Sequence, residues 1–215
     1  MQVLRFHDTT GQEIVVREPA DGTMAIRYGS QLIVEQGQEA IFLRDGQAFD
    51  RFGPGRHTLR TKNLPLLAPI LSLPFGGDSP FQAAVIFIAH KTFIDLRWGT
   101  KEPVVFRDRE LAMVRLRAFG KFALRVIDGP KLVSTLVGSR GLFTTDALEG
   151  FVRDLIVSRL NDLLGETLTS IFDLPSRYED LAAALRPRVA EALVPYGLDV
   201  PDLLIGAITP PPEVQ

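Results

Sequence analysis

Residues 114–127 read VRLRAFGKFALRVI, and their alternation decides the fold class. Val114, Leu116, Ala118, Gly120, Phe122, Leu124 and Val126 fall on one face of an extended chain. Arg115, Arg117, Phe119, Lys121, Ala123 and Arg125 fall on the other. Strand side chains alternate with a period of two, so one face packs on a core and the other carries a basic ladder. A strand of this length is expected to bend near Gly120.

Working outward towards the N-terminus, the chain continues to read as strands. Glu13–Arg17 and Thr23–Arg27 are short runs separated by the turn-forming PADG at 19–22. Gln31–Glu35 and Gln38–Arg44 follow, and Asp45-Gly46 then forms a two-residue hairpin signal because both residues tolerate positive φ. FGPGRHTL at 52–59 is a tight turn leading into a strand. Ala83–Ala89 is a continuous apolar run, as in a strand buried on both faces. Thr92–Trp98 and Pro103–Arg107 bracket the turn WGTKEP.

Beyond residue 127 the period changes. Pro130–Val137 suits a small helix. Leu148, Phe151, Val152, Leu155, Ile156, Leu160, Leu163 and Leu164 recur at helical spacing, with Asp146 and Glu149 placed to cap the start. Ser176 and Glu179 form an S-x-x-E capping box for a second helix, whose stripe is Leu181, Leu185, Val189, Ala192 and Leu193. Pro187 predicts a kink or break in it, and Gly197 its end. Leu203–Ile208 is expected to return as a strand before Pro210–Pro212. Strands followed by helices define an α+β domain.

The composition narrows the function classes. The chain has 215 residues, 46% hydrophobic and 23% charged, which allows one large domain or two small ones with a substantial core. A net charge of −2 gives no general attraction to nucleic acid. With no cysteine, disulfides, thiolate metal sites and cysteine nucleophiles are excluded, and a cytosolic setting is the simplest expectation. The three histidines, at 7, 57 and 90, are far apart in sequence, so no histidine metal site and no cofactor are expected. The N-terminal sequence MQVLRFHDTTGQ carries no secretory pattern.

Catalytic signatures are missing as well. There is no G-x-x-x-x-G-K-[ST], no G-x-G-x-x-G after a strand and no G-x-S-x-G. The acidic pairs Asp154/Asp162 and Glu179/Asp180 fall on polar helix faces, where solvated charge is the ordinary outcome. Asp95, in DLRWGT, is the carboxylate with the most apolar neighbours, and a hydrogen bond to the following turn is its expected role. His57 follows a turn, where a solvated or core-edge imidazole is expected.

Two features suit an interface. The segment Leu64–Phe75, LPLLAPILSLPF, is uncharged but broken by Pro65, Pro69 and Pro74, and it is shorter than the roughly 20 apolar residues a spanning helix needs. Its Leu64, Leu66, Leu67, Ile70, Leu71, Leu73 and Phe75 are covered by the fold, by a partner or by a membrane surface. Arg115, Arg117, Lys121 and Arg125 face either anionic headgroups or acidic groups of a neighbouring strand or subunit.

Longer stretches carry a family likeness. YGSQLIVEQGQEAIFLRDGQAFDRFGPGRHTLRTKNLPLL at 28–67 resembles the opening of the SPFH/band 7 superfamily of stomatins, prohibitins and flotillins. GGDSPFQAAVIFI at 76–88, FIDLRWGTKEPVVFRD at 93–108, VRLRAFGKFALRVIDGPKLVSTLVG at 114–138 and YGLDVPDLLIGAITPPPEVQ at 196–215 extend the likeness over nearly the whole chain. SPF, WGT and LRAFG in this order are similar to the bacterial "virion core protein-like" branch. The resemblance implies a curved, mostly antiparallel sheet with two main C-terminal helices and a return strand. It divides the chain into a β lead-in at 1–28, the SPFH domain at 29–209 and, at 210–215, the start of a C-terminal helical extension that is missing or truncated.

The same resemblance implies a function. Members are homo-oligomeric, membrane-associated scaffolds without catalytic residues, which organise membrane domains or partner proteins, and this branch looks connected to envelope stress. The polar N-terminus departs from the hydrophobic anchor of stomatins and prohibitins, which favours peripheral or partner-mediated attachment at the inner face of the cell membrane. The expectation is therefore a non-enzymatic membrane scaffold with no small-molecule substrate and no nucleic acid. The alternatives are a soluble adaptor that binds a protein or peptide, and an enzyme using Asp95 or His57.

Overall fold

The computed structural model describes residues 2–66, 81–137 and 144–210. The chain divides into two compact units, each built from two stretches of sequence: 1–91 with 126–148, and 92–125 with 149–215.

The first unit contains β1 (Val3–Arg5), β2 (Val15–Glu18), β3 (Met24–Ile26), β4 (Gln31–Val34), β5 (Gln38–Arg44), β6 (Gln47–Phe52), β7 (Gly55–Thr58) and β8 (Phe81–Ala89). One sheet has the order β1-β4-β7, parallel between β1 and β4 and antiparallel between β4 and β7. The other has the order β2-β8-β5-β6, with β3 also paired to β8, and is antiparallel throughout. Residues 85–88 of β8 pair with both β2 and β5, so these neighbours lie on opposite edges. A central strand between two neighbours can be buried on both faces, and every residue of β8 except Gln82 is buried.

The Asp45-Gly46 hairpin forms as its sequence predicts. Arg44 pairs with Gln47, and the two turn residues have φ of 49° and 75°. The fully buried Phe42 centres the core, its ring 5.7 Å from Phe52 and 6.1 Å from Phe81. A short helix α1 (Gly129–Leu132) is capped by the Asp128 carboxylate, which accepts from the Lys131 amide at 3.0 Å, and it runs into a π-helical turn over Val133–Val137. The buried Glu39 of β5 forms an ion pair with Arg51 of β6, and His90 Nε2 lies 2.9 Å from its Oε1.

The second unit is organised around one strand. β9 (Phe93–Gly99), β10 (Val104–Asp108), β12 (Leu198–Asp199) and β13 (Leu203–Thr209) all pair with β11 (Ala112–Val126). Residues 119–122 pair with both β9 and β13, which therefore flank β11 on opposite edges. Val114, Leu116, Ala118, Phe122, Leu124 and Val126 are buried, as their alternation predicts. Ala123 is also buried, although the alternation puts it outside. The β9 register shifts between Phe122 and Leu124, so an extra β9 residue lies opposite Ala123, while Leu124 and Val126 keep the phase of the alternation.

Two longer helices follow, α2 (Thr145–Thr167) and α3 (Tyr178–Leu193). Leu148, Val152, Ile156, Leu160, Leu163 and Leu164 are the buried stripe of α2, and Leu181, Leu185, Val189 and Leu193 that of α3, which packs on β13.

The helix ends differ from their sequence signals. The Thr144 hydroxyl, not Asp146 with Glu149, accepts from the Ala147 amide at 3.2 Å, while Glu149 pairs with Arg153. The Ser176–Glu179 box does not form, because Ser176 belongs to a 3₁₀ turn over Ile171–Ser176 and donates to the Asp173 carbonyl at 2.9 Å. Arg177 takes the N-cap position without a side-chain bond. Pro187 lies inside α3 without ending it. Its site is exposed, so water can serve the carbonyl that a proline leaves unpaired.

The irregularity expected near Gly120 is a register shift between Phe119 and Gly120 on the β13 side. A Cβ at Gly120 would lie 1.9 Å from the Leu204 carbonyl oxygen and 2.8 Å from the Trp98 indole nitrogen, which donates to that same oxygen at 3.1 Å. The obstacle is backbone and a buried ring, neither of which can yield cheaply. Gly120→Ala is expected to cost about 1–3 kcal/mol or more, and a urea unfolding midpoint unchanged from wild type would contradict this packing.

Candidate functional site

The outer face of β11 is an open surface on which cations alternate with apolar side chains. Met113, Arg115, Arg117, Phe119, Lys121 and Arg125 are all exposed. In an antiparallel pair, directly opposed residues share a face. Val105 stands beside Arg115, Arg107 beside Met113, and both Arg97 and Leu204 beside Lys121. Met113, Phe119, Val105 and Leu204 are 65%, 56%, 56% and 53% exposed, which is unusual for large apolar residues sharing one sheet face. The Phe119 ring lies over Gly206, where a Cβ would come within 3.1 Å of its Cε2.

Charge balance on this face is uneven. Lys121 Nζ meets Asp95 Oδ1 at 2.7 Å, and Arg125 Nη2 meets Asp199 Oδ2 at 2.8 Å. Arg107, Arg115 and Arg117 form no ion pair among the described residues. The basic ladder is thus half-neutralised at the Lys121 end and uncompensated towards the β10–β11 turn.

Two polar side chains hold the edges of the face. The buried Asp108 closes the β10–β11 turn: its Oδ1 accepts from the amides of Glu110 and Leu111 at 2.7 and 2.9 Å, and its Oδ2 accepts from Ile171 at 2.7 Å. At the other edge, Tyr178 Oη donates to the Ile208 carbonyl and accepts from the Ile208 amide, both at 3.1 Å. Ile208 is opposite Ala118, whose own amide and carbonyl bond to Thr100, so Tyr178 occupies backbone groups on the free edge of β13.

The groups considered for chemistry do other work. Asp95 sits at φ 60° and bonds across to Lys121 instead of to the following turn. That hydrogen bond, with the nearby positive charge, lowers its pKa, the wrong direction for a general acid. His57 Nε2 is 2.8 Å from the Gly53 carbonyl and its ring lies tilted against Phe52 with centroids 5.1 Å apart, so it braces the turn before β7. Asp95 and His57 belong to different units. Among the described residues no group of three or more His, Asp or Glu side chains is placed to hold a metal ion.

Of the apolar segment, Leu64 is fully buried in the first unit's core and Leu66 is 57% exposed. Leu67, Ile70, Leu71, Leu73 and Phe75 lie outside the described residues. No helix among the described residues is long and apolar enough to cross a membrane.

The profile of the SPFH domain-Band 7 family matches residues 17–215. The chain belongs to this family. Its mostly antiparallel sheets and C-terminal helices are the α+β arrangement that the family's fold calls for. The SPFH chain is also 29% identical over 199 residues to a Bacillus subtilis (strain 168) protein named Uncharacterized protein YdjI, an alignment covering 88% of this chain. The chain spans 59% of that relative's length.

Sequence reading found the arginine ladder and Phe119 beside it, but not Asp108, Tyr178 or Asp199, whose partners are distant in the chain. Asp108 also titrates in a way that can be followed. The Ile171 amide first, then those of Leu111 and Glu110, stabilise its carboxylate and lower its pKa. A depressed native pKa contributes stability that is complete above the unfolded value, about 3.9, and is lost as pH falls through the native value. Urea unfolding of wild type and Asp108→Asn should therefore differ most near neutrality and converge in acid. A gap that stays constant from neutrality to about pH 2 would refute this role.

Proposed function

We propose that this SPFH domain is a non-enzymatic, oligomeric scaffold module attached peripherally to the inner face of the cell membrane, where it organises membrane domains or holds partner proteins. The observation that carries the reading is the family match over residues 17–215, since SPFH domains are generally non-enzymatic and suggest a membrane scaffold role. The surface agrees with it. The cations of β11 spread along an open sheet face, a surface that suits contact with a partner or a lipid headgroup layer.

Membrane contact in this reading belongs to the apolar run that starts at the exposed Leu66 and continues in sequence through Leu67, Ile70, Leu71, Leu73 and Phe75. Leucines and a phenylalanine favour the acyl boundary, and attachment of this kind needs no spanning helix. Leu64 takes no part, because its side chain is committed to the core.

Flotation with phosphatidylcholine vesicles containing phosphatidylglycerol tests the reading. Wild type is expected to float with the vesicles, and Leu67→Asp/Leu71→Asp to remain at the bottom of the gradient. If wild type does not float, membrane attachment by this chain is refuted; if the variant floats equally, the segment is not the contact.

A further inference from the structure

At residues 119–122 β11 is paired on both edges, whereas at 112–116 β10 is its only partner among the described strands. Ala118 bonds through its amide and carbonyl to Thr100, on the edge that β9 and β10 share. A strand turns its backbone groups to alternate edges, so Met113, Arg115 and Arg117 point theirs the other way, towards β13. That ladder ends with Thr209 opposite Arg117. Pro210, Pro211 and Pro212 follow in sequence and have no amide with which to extend it. β12 joins at the far end of β11, where Asp199 meets Arg125. Among the described residues, no strand therefore meets the amides and carbonyls of Met113 and Arg115.

The surroundings of this edge are open and basic. Ala112 and Met113 line a hollow of about 1100 Å³ together with Arg107, Arg109 and, from the end of α2, Leu168 and Thr169. The side chains of Arg107, Arg109, Arg115 and Arg117 are exposed and form no ion pair among the described residues. Glu166, which also borders the hollow, is paired with Arg188. Within the β10–β11 hairpin Asp108 is engaged with backbone amides, which leaves Glu110 alone against these arginines.

We infer that an acidic, extended segment of a partner protein adds to this edge as a further strand, antiparallel to β11 and in line with β13. The inference rests on the reading above that the domain holds partner proteins, and it names the chemistry of what is held. Free amides and carbonyls recurring at every second residue are matched by another backbone and by no lipid headgroup. Unpaired arginines favour carboxylates, which a guanidinium grips through two parallel bonds. A second copy of β11 is a poor occupant, because it would set arginine beside arginine, and like charges directly opposite destabilise a strand pair. In the added strand, residues opposite Met113 and Arg115 share the outer face and turn their amides towards β11. The residues between them share the face of the buried Val114 and Leu116. The segment is thus acidic at every second position and apolar between.

A fluorescein-labelled peptide of four Glu-Val repeats, followed by fluorescence anisotropy against wild type and Arg115→Glu/Arg117→Glu, tests this. Wild type is expected to bind it, less tightly as salt rises. The variant should bind at least about tenfold more weakly, with matching thermal melts to check that it stays folded. Two modified peptides of equal charge separate strand addition from charge attraction alone. N-methylation of the two central glutamate amides removes donors that face β11 and should abolish binding. N-methylation of the two central valine amides, which face away, should leave it.

A wild type that does not bind the peptide would overturn the inference, and so would equal binding of the two methylated peptides or equal binding by the two proteins. A wild type that self-associates until the charge reversal makes it monomeric has a second copy on this edge, which also refutes it. Peptide binding without vesicle flotation refutes membrane attachment and leaves this contact standing, and flotation without peptide binding does the reverse.

Discussion

Pairing along both edges of β11 is the constraint on which the second unit depends, and it leaves no volume for a side chain at residue 120. β9 and β13 press on the strand at the same residues, and the register on the β13 side slips by one at Gly206. That slip turns the Leu204 carbonyl over Gly120, where the buried Trp98 indole donates to it. A glycine is needed because the two groups that close over it are a backbone oxygen and a ring held at 3% exposure. The same slip brings Gly206 beneath Phe119 and keeps the ring on the surface. One local irregularity thus sets both the packing of the inner face and the display of the outer one.

Around this strand, the polar groups that matter most bind backbone. Asp108 satisfies three amides at once, drawing together the β10–β11 turn and the 3₁₀ turn that begins at Ile171. Tyr178 fills an amide and a carbonyl on the outer edge of β13. Unpaired edge groups are templates for unwanted strand pairing, and a side chain that occupies both a donor and an acceptor blocks that route. The edge is guarded where the face is left open. This division suits a domain whose contacts are made on a chosen surface.

How much of this was legible in the sequence depended on the range of the interaction. Period-two alternation over 114–127 and helical spacing over 148–164 report burial directly: the even-numbered strand residues are buried, and so is the helical stripe except Phe151 and Leu155, which are half-buried. Asp45-Gly46 is equally readable, because a two-residue turn with positive φ at both positions is chemistry local to those residues. The helix starts failed for the opposite reason. Ser176 and Glu179 have the right spacing, but Ser176 is already held by the Asp173 carbonyl in the preceding turn, and a motif cannot show that its hydroxyl is engaged elsewhere. Likewise, the arginines of the outer face are visible as a ladder in sequence. Which of them lack partners is not, since Asp95 and Asp199 are 26 and 74 residues from the cations they neutralise.

Partner choice, more than charge count, is what distinguishes this surface. The formal charge of −2 describes a molecule with no preference, yet Arg107, Arg115, Arg117, Lys121 and Arg125 share one sheet face, and only Lys121 and Arg125 have counterions there. An exposed ion pair is worth about 0–1 kcal/mol, so the pairs at Lys121 and Arg125 do little for stability. Their effect is to remove two cations from competition and leave Arg107, Arg115 and Arg117 as the ones available to an incoming group. The apolar residues between them matter for the same reason: Met113, Phe119 and Val105 exclude water once covered, and a charge contact inside a dry rim is stronger and more selective than the same contact in solvent. A nearly neutral chain can in this way carry a directional surface, and the direction is set by where β11 places its odd-numbered side chains.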